Sequence, residues 1–391
     1  MLPEGWRMRT VADVCHFQNG TGFGPEDWDD HGLPIIRIQN LNGGDRFDYY
    51  SGTPEEKWIV RPGQLLFAWA GTRGVSFGPK VWRGPEGVLN QHIFKVEPKG
   101  EVDSKWLHLV LRHVTDRIER RAHGFKATLL HVKKSDIEAQ PIPVPPLDQQ
   151  RRIATILESW EKAISVSEQL LAVSRDQKYA LLRKCLQASR GWKTARLAEV
   201  ATRIQRKSDG GDHPVLMISS GANGFVPQNE KYSRFMAGKS VGSYTLLRRG
   251  EFAYNKGNSK TYEFGCVYPL TDFEQGLVPH VYVCFSMDDK SCHRAFYKYL
   301  FEADYLHDQL GALVNTGVRN NGLLNIRPLD FLGTTIPIPP IEDQIRIAAV
   351  LDAASMTIGA LKARLELLIQ ERAAVMQRLL TGKSPFQALV A

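Results

Sequence analysis

Residues Ile142–Leu157 read IPVPPLDQQRRIATIL, and Ile336–Leu351 read IPIPPIEDQIRIAAVL. The register is gapless, nine of the sixteen positions are identical, and exchanges such as Val144 with Ile338 or Asp148 with Glu342 are conservative. Self-similarity at a long period marks a duplicated unit. Working outward, GWRMRTVADV at Gly5 returns as GWKTARLAEV at Gly191, RPGQLLFAW at Arg61 as RRGEFAYNK at Arg248, and TLLHVKKSD at Thr128 as GLLNIRPLD at Gly322. The copies lie 186 residues apart at the Gly-Trp pair and 194 apart at the proline motif, so the second copy carries a few inserted residues. The chain therefore reads A, B, A′, B′.

Prolines cannot sit in a helix interior, so Pro145–Pro146 and Pro339–Pro340 each set a hard helix start, with Asp148 in the first copy and Glu342 and Asp343 in the second as capping or first-turn carboxylates. In the second B segment Ile347, Leu351, Ala354, Ile358, Leu361, Leu365, Leu368, Val375 and Leu379 alternate steps of four and three, broken only at Arg372. That is a heptad seam. The first B segment repeats it with Ile153, Leu157, Trp160, Ile164, Leu171, Leu181 and Cys185, weakened at Ser167, Ser174 and Lys178. Gly191 and Gly382 fall where helix C-terminal glycines belong. Each helix of roughly 38 residues would span ~55 Å. A stripe that long cannot bury itself, so the two helices are expected to pack on one another as an antiparallel coiled coil.

The A segments mix short apolar runs (PIIRIQNL, GQLLFAWAG, HIFKVEP; YTLLRRGEFAYN, HVYVCFS) with Gly, Asn and Asp turns, then helical stretches, SKWLHLVLRHVTDRIERR and CHRAFYKYLFEADYLHDQL. They predict α/β (α+β) globules, each with a curled sheet and one or two helices.

At 391 residues, with net charge +8 and a pI near 9.1, the chain is long enough for two or three domains and compatible with a polyanionic partner. The five cysteines form no Cys-x-x-Cys pair, which favours a reduced, cytoplasmic protein without disulfides or a zinc knuckle. MLPEGWRMRT lacks the apolar run of a signal peptide, and nowhere do eighteen apolar residues follow one another, so no membrane partner is expected.

Basic and amide side chains gather where loops are expected. In the first copy these are Arg37, Gln39, Asn40, Arg73, Arg117, Arg120, Arg121, His123, Lys126, His131, Lys133 and Lys134. In the second they are Asn255, Lys256, Asn258, Lys260, Arg319, Asn320, Asn321, Asn325 and Arg327. Lys and Arg grip phosphates, while Arg, Asn and Gln read base edges bidentately. Any one of them alone reads first as a solvated surface group. As a set on duplicated domains they are candidate DNA contacts.

Catalytic signatures are missing. The Pro-Pro pairs follow Val144 and Ile338, so they do not form the Asn/Asp-Pro-Pro-aromatic motif of adenine methyltransferases. TGKS at Thr381 ends like a P-loop, but Gln377 stands where its first glycine belongs. His92 and His280 lack ligand neighbours and read as satisfied structural histidines; no metal site is expected.

The proline-proline-acid-Gln helix starts, the Gly-Trp openings and the globule-helix-globule-helix order together resemble the specificity subunits of Type I restriction-modification enzymes, over essentially the whole chain. The resemblance implies two target recognition domains, 1–140 and 191–334, each reading half of a bipartite, asymmetric site on double-stranded DNA. It implies conserved spacer helices at 141–190 and 335–384, with a tail at 385–391, that dock two DNA methyltransferase subunits; restriction and translocase subunits join the complex. S-adenosylmethionine, ATP and Mg would sit on those partners, with no cofactor and no catalytic residue in this chain. The shared polar positions Gln150, Arg152, Gln344 and Arg346 are then candidates for partner contact beside the seam, with first-turn solvation as their plain alternative. A non-DNA-binding coiled-coil adaptor built from the same duplication is the competing reading, separable by the salt dependence of DNA binding. A free-standing nuclease or methyltransferase is opposed by the missing motifs.

Overall fold

The computed structural model describes residues 2–121, 129–187, 191–219, 224–231, 238–257, 259, 261–314 and 324–382. They form two compact units, Met1–Glu168 with Arg364–Ala391, and Gln169–Ala363.

In each unit the Gly-Trp segment and the proline motif are strand partners. Arg7–Thr10 runs antiparallel to Pro141–Val144 with Arg7 opposite Val144, and Lys193–Arg196 runs antiparallel to Thr335–Ile338 with Lys193 opposite Ile338. The duplicated register is thus kept in space. The chain enters both strands through a left-handed glycine, Gly5 at φ 78° and Gly191 at φ 108°, a conformation that a side chain would strain. Trp6, next in sequence, is buried and donates its indole N–H to Gln149 Oε1 at 2.8 Å, fixing the turn to the first long helix.

Four-stranded antiparallel sheets follow in matching order. The first unit has Cys15–Asn19, Ile93–Pro98, Leu65–Ala68 and Gly78–Val81 side by side; the second has Ala201–Ile204, Val283–Met287, Phe252–Asn255 and Cys266–Pro269. Phe17, Phe67 and Val96 in the first, and Phe252, Tyr254 and Phe285 in the second, are essentially fully buried from these strands. Elsewhere the copies diverge. The first unit adds a sheet of Tyr49–Tyr50, Leu33–Ile36, Gly87–Leu89 and Ile59–Val60, and the second adds two two-stranded antiparallel ladders, Leu216–Ser219 with Gly224–Pro227 and Thr245–Arg248 with Gln275–Val278.

A helix then packs on each sheet. Ser104–Arg121 is continuous, but the expected counterpart over CHRAFYKYLFEADYLHDQL is two helices, Arg294–Glu302 and His307–Leu313. The break comes at Asp304, whose φ of 55° is left-handed and whose carboxylate meets His307 Nδ1 at 2.8 Å.

The long helices are Leu147–Gln187 and Ile341–Thr381, 41 residues each. Both begin after the proline pair, with the Pro146 and Pro340 carbonyls accepting the first helical bonds from the Gln150 and Gln344 amides at 3.0 and 3.1 Å. In the first unit Ile153, Ala154 and Leu157 share a core with Met376, Leu379 and Leu380; in the second Leu182 shares one with Ile347, Ala348 and Leu351. Within either unit, the start of one helix lies with the end of the other, which is antiparallel order.

Leu171 is also buried, and the remaining seam residues (Trp160, Ile164, Leu181, Ile358, Leu361, Leu365, Leu368 and Val375) are half-buried. Three of the polar interruptions find partners: Arg372 pairs with Glu161, although its buried Nε is left unbonded, Lys178 pairs with Glu302, and Ser167 donates to the Ala163 carbonyl at 2.8 Å. Ile341–Thr381 is long and apolar enough to cross a membrane by length and composition. Its apolar stripe, however, is the seam, and Lys362, Arg364 and Glu366 stand mid-helix.

Candidate nucleic-acid interface

In each unit two sequence-distant segments bearing candidate residues meet at one edge of the globule. The first unit pairs Leu129–His131 antiparallel with Ala70–Thr72, and the Val132 amide donates to the Trp69 carbonyl at 3.1 Å. In the second the Leu324 amide donates to the Lys256 carbonyl at 3.0 Å. The segment leaving the central strand and the segment entering the short helix before the proline motif are therefore neighbours in both copies.

On the first edge Arg73 donates a guanidinium N–H to the Glu119 carbonyl, close to the end of helix Ser104–Arg121, where Arg120 and Arg121 are exposed. His131 and Lys133 are exposed beside it. Sequence reasoning overlooked Trp69, whose indole N–H bonds the Gln91 carbonyl at 3.1 Å and whose ring lies 5.3 Å from His92 and 6.0 Å from His131. A signal was available, since Trp69 aligns with Lys256 in the duplication, an aromatic group against a cation at the same strand exit. On the second edge Asn255 and Lys256 are half-buried and Asn325 and Arg327 exposed. Arg327 holds Asp330 through two bonds of 2.8 and 2.9 Å, which keeps that carboxyl below its ordinary range.

Other candidates turn inward, and these are corrections. Asn40 is buried, accepting from the Arg37 amide at 2.9 Å and donating to the Gly44 and Arg46 carbonyls at 3.2 and 2.8 Å, so it shapes a loop. Arg37 stacks 4.5 Å from the Trp28 ring and pairs with Asp48, whereas Gln39 beside it is exposed. Arg117 donates to the Gln140 side chain and the Pro141 carbonyl, and burial pushes its pKa down. Lys134 donates to the Phe17 carbonyl at 2.7 Å. His280 is exposed rather than a satisfied structural histidine, and His92 leaves a buried Nδ1 unbonded. His123, Lys126, Asn258, Lys260, Arg319, Asn320 and Asn321 lie outside the described residues.

Gln150 and Gln344 are likewise not surface groups. Gln150 Oε1 accepts from the Asp103 amide at 2.9 Å while Nε2 donates to the Pro145 and Glu101 carbonyls at 3.0 and 3.4 Å. Gln344 Oε1 accepts from the His293 amide at 2.7 Å while Nε2 donates to the Pro339 and Ser291 carbonyls, both at 2.9 Å. The same clamp is built twice, tying the start of each long helix to the start of the helix on the neighbouring sheet. Neither amide is free for a partner, because both side chains are buried and each spends both donors and its oxygen on bonds inside the protein. Arg152 and Arg346 are exposed, and Arg346 pairs with Asp343 at 2.7 Å.

The mirrored clamps, matching sheets and heptad helices define a duplicated protein, with the same arrangement built once in each unit. Residues 3–173 match the family model described as the Type I restriction modification DNA specificity domain. The specificity subunit of the MjaVIII Type I restriction enzyme of Methanocaldococcus jannaschii is 22% identical over 420 residues, 98% of this chain and 93% of that protein. That of the EcoBI enzyme of Escherichia coli is 25% identical over 161 residues, 40% of this chain and 33% of that protein. Among solved structures, the Type I restriction-modification S subunit from M. genitalium aligns with a TM-score of 0.57 at 15% identity, over 96% of each chain. A chain from a study of complex assembly and conformational transition in the Type I system aligns with a TM-score of 0.59 at 18% identity, over 97% of this chain and 98% of that one. Residues 3–173 thus match the Type I restriction modification DNA specificity domain, and over nearly its whole length the chain is similar to Type I restriction-modification specificity subunits.

Proposed function

We propose that this chain reads one bipartite, asymmetric DNA site, with residues 1–140 and 191–334 as target recognition domains for the two half-sites. Segments 141–190 and 335–384, through the helices Leu147–Gln187 and Ile341–Thr381, serve as spacer and docking surface for two DNA methyltransferase subunits, to which restriction and translocase subunits are added. S-adenosylmethionine, ATP and Mg belong to those partners, and the assembly works in the cytoplasm. The observation that carries the reading is the repeated edge, where dissimilar side chains sit on the same scaffold: Trp69, Arg73, His131 and Lys133 in one copy and Lys256, Asn325 and Arg327 in the other. A common frame with different reading groups suits two different half-sites. Apolar side chains turned away from the seam, such as Leu170 (50% exposed), Met356 (76%) and Leu367 (54%), favour docking of further subunits on the helices.

Methylome sequencing of host DNA, with and without the gene and beside its methyltransferase, tests this directly. Adenine methylation at one bipartite motif that depends on the gene is the expected result. Methylation unchanged by its removal, with DNA binding absent at low salt, would favour the adaptor reading.

A further inference from the structure

The clamps fix which positions correspond in the two units. Arg112 lies nine residues beyond Asp103, as Glu302 does beyond His293; Glu161 lies eleven beyond Gln150, as Ser355 does beyond Gln344; and Arg372 lies twenty-eight beyond Gln344, as Lys178 does beyond Gln150. In each unit these three positions come from the sheet-packing helix, the long helix that starts beside it and the long helix that ends beside it.

They carry different charges. In the first unit Glu161 is shared by Arg112, at 2.7 Å, and Arg372. The order is cation, acid, cation. In the second unit Glu302 pairs with Lys178, and Ser355 takes the Glu161 position, bonded to the Tyr299 hydroxyl at 3.0 Å. There the order is acid, neutral, cation. The cation of the ending helix is retained, while the acid has moved from the long helix to the sheet-packing helix. Lys178 and Glu302 are 14% and 10% exposed, so an unmatched charge at the second junction would be poorly solvated; at the first, Arg372 is 15% exposed but Arg112 and Glu161 are 34% and 44%, so the penalty there is smaller.

We infer that these three positions form a charge code that seats each recognition segment on its own part of the helical frame. The segment carrying Arg112, set against Ser355 and Lys178, would bring two cations together without their acid. The segment carrying Glu302, set against Glu161 and Arg372, would bring two acids to one cation. Exchange of the two similar halves, within a chain or between two copies, is thereby penalised, although the clamps and the buried helix-start positions (Ile153, Ala154, Leu157 and Ile347, Ala348, Leu351) are alike. Nearby acids soften the mismatch without removing it: Asp116 lines the same cleft as Arg112, and Asp352 accepts from the Tyr299 hydroxyl at 2.6 Å.

The test uses full-length protein and urea or thermal unfolding. Glu302→Arg is expected to lower Tm by about 5–10 °C and Arg112→Glu by about half as much. Adding Ser355→Glu to the first, or Glu161→Ser to the second, recreates the other unit's code and is expected to recover most of the loss. The crossed combination, Arg112→Glu with Ser355→Glu, places the new acid in the wrong unit and should recover nothing. If a single variant is insoluble, return of soluble protein in its matched double is the same result. Matched doubles no better than their singles, or crossed doubles equally good, overturn the proposal.

Discussion

Replacing Gln344 with leucine keeps the volume but removes three hydrogen bonds from a side chain with no solvent exposure. The His293 amide and the Ser291 and Pro339 carbonyls would be stranded. Each buried unpaired group costs about 1–3 kcal/mol, and partial relaxation brings the total to about 3 kcal/mol, roughly a hundredfold in the folding equilibrium. Tm should fall by about 6–12 °C. Urea unfolding of the free chain gives the loss, with Gln370→Leu at an exposed helix position as the control, and hydrogen exchange at the His293 amide reports the clamp itself. A loss below about 1 kcal/mol, in the range of ordinary surface substitutions, with exchange unchanged, would refute the clamp. Gln344 would then act elsewhere, as a partner-contact residue does.

Leu157→Ala and Leu351→Ala, both at fully buried seam positions, should each cost about 2–5 kcal/mol, while Met356→Ala stays within about 0.5 kcal/mol in chemical denaturation. Arg327→Ala or Lys133→Ala should weaken DNA binding and reduce the slope of log affinity against log salt by about one each, read by fluorescence anisotropy; an unchanged slope removes that residue from the interface. Burial lowers the pKa of His108 to about 4. Because the folded pKa lies below the unfolded value of about 6.5, the unfolded chain takes up the proton first, and stability should fall as pH drops from about 6.5 toward 4. His108→Gln should flatten that slope in pH-resolved unfolding. Burial pushes the Cys15 and Cys284 thiols up to about 12, so in native protein at pH 8 both should resist thiol reagents that label half-buried Cys185, with peptide mapping as the readout.

The frame was legible because its determinants are local and repeated. Proline pairs start each helix, the four-three spacing names the buried face, and the repeated Gly-Trp openings mark where each copy begins. The candidate contact residues were only partly legible. Asn40, Arg117 and Lys134 have the composition of contact residues, but their bonds go inward, and one-dimensional sequence carries no sign of where a long polar side chain finds its partner. The split at Asp304 was hidden for a related reason: an aspartate tolerates the left-handed turn without announcing it.

By itself, then, the sequence determined the duplication, the two helices, their seam and the divergence of the heads, all properties of periodicity and local backbone preference. Tertiary structure alone decided that Gln150 and Gln344 face inward as clamps, that Arg372 completes the seam instead of breaking it, and that segments some sixty residues apart, such as 69–73 and 129–133, share one edge. Those outcomes depend on which buried donor meets which acceptor across long stretches of chain. Satisfying buried polar groups is a property of the packed whole.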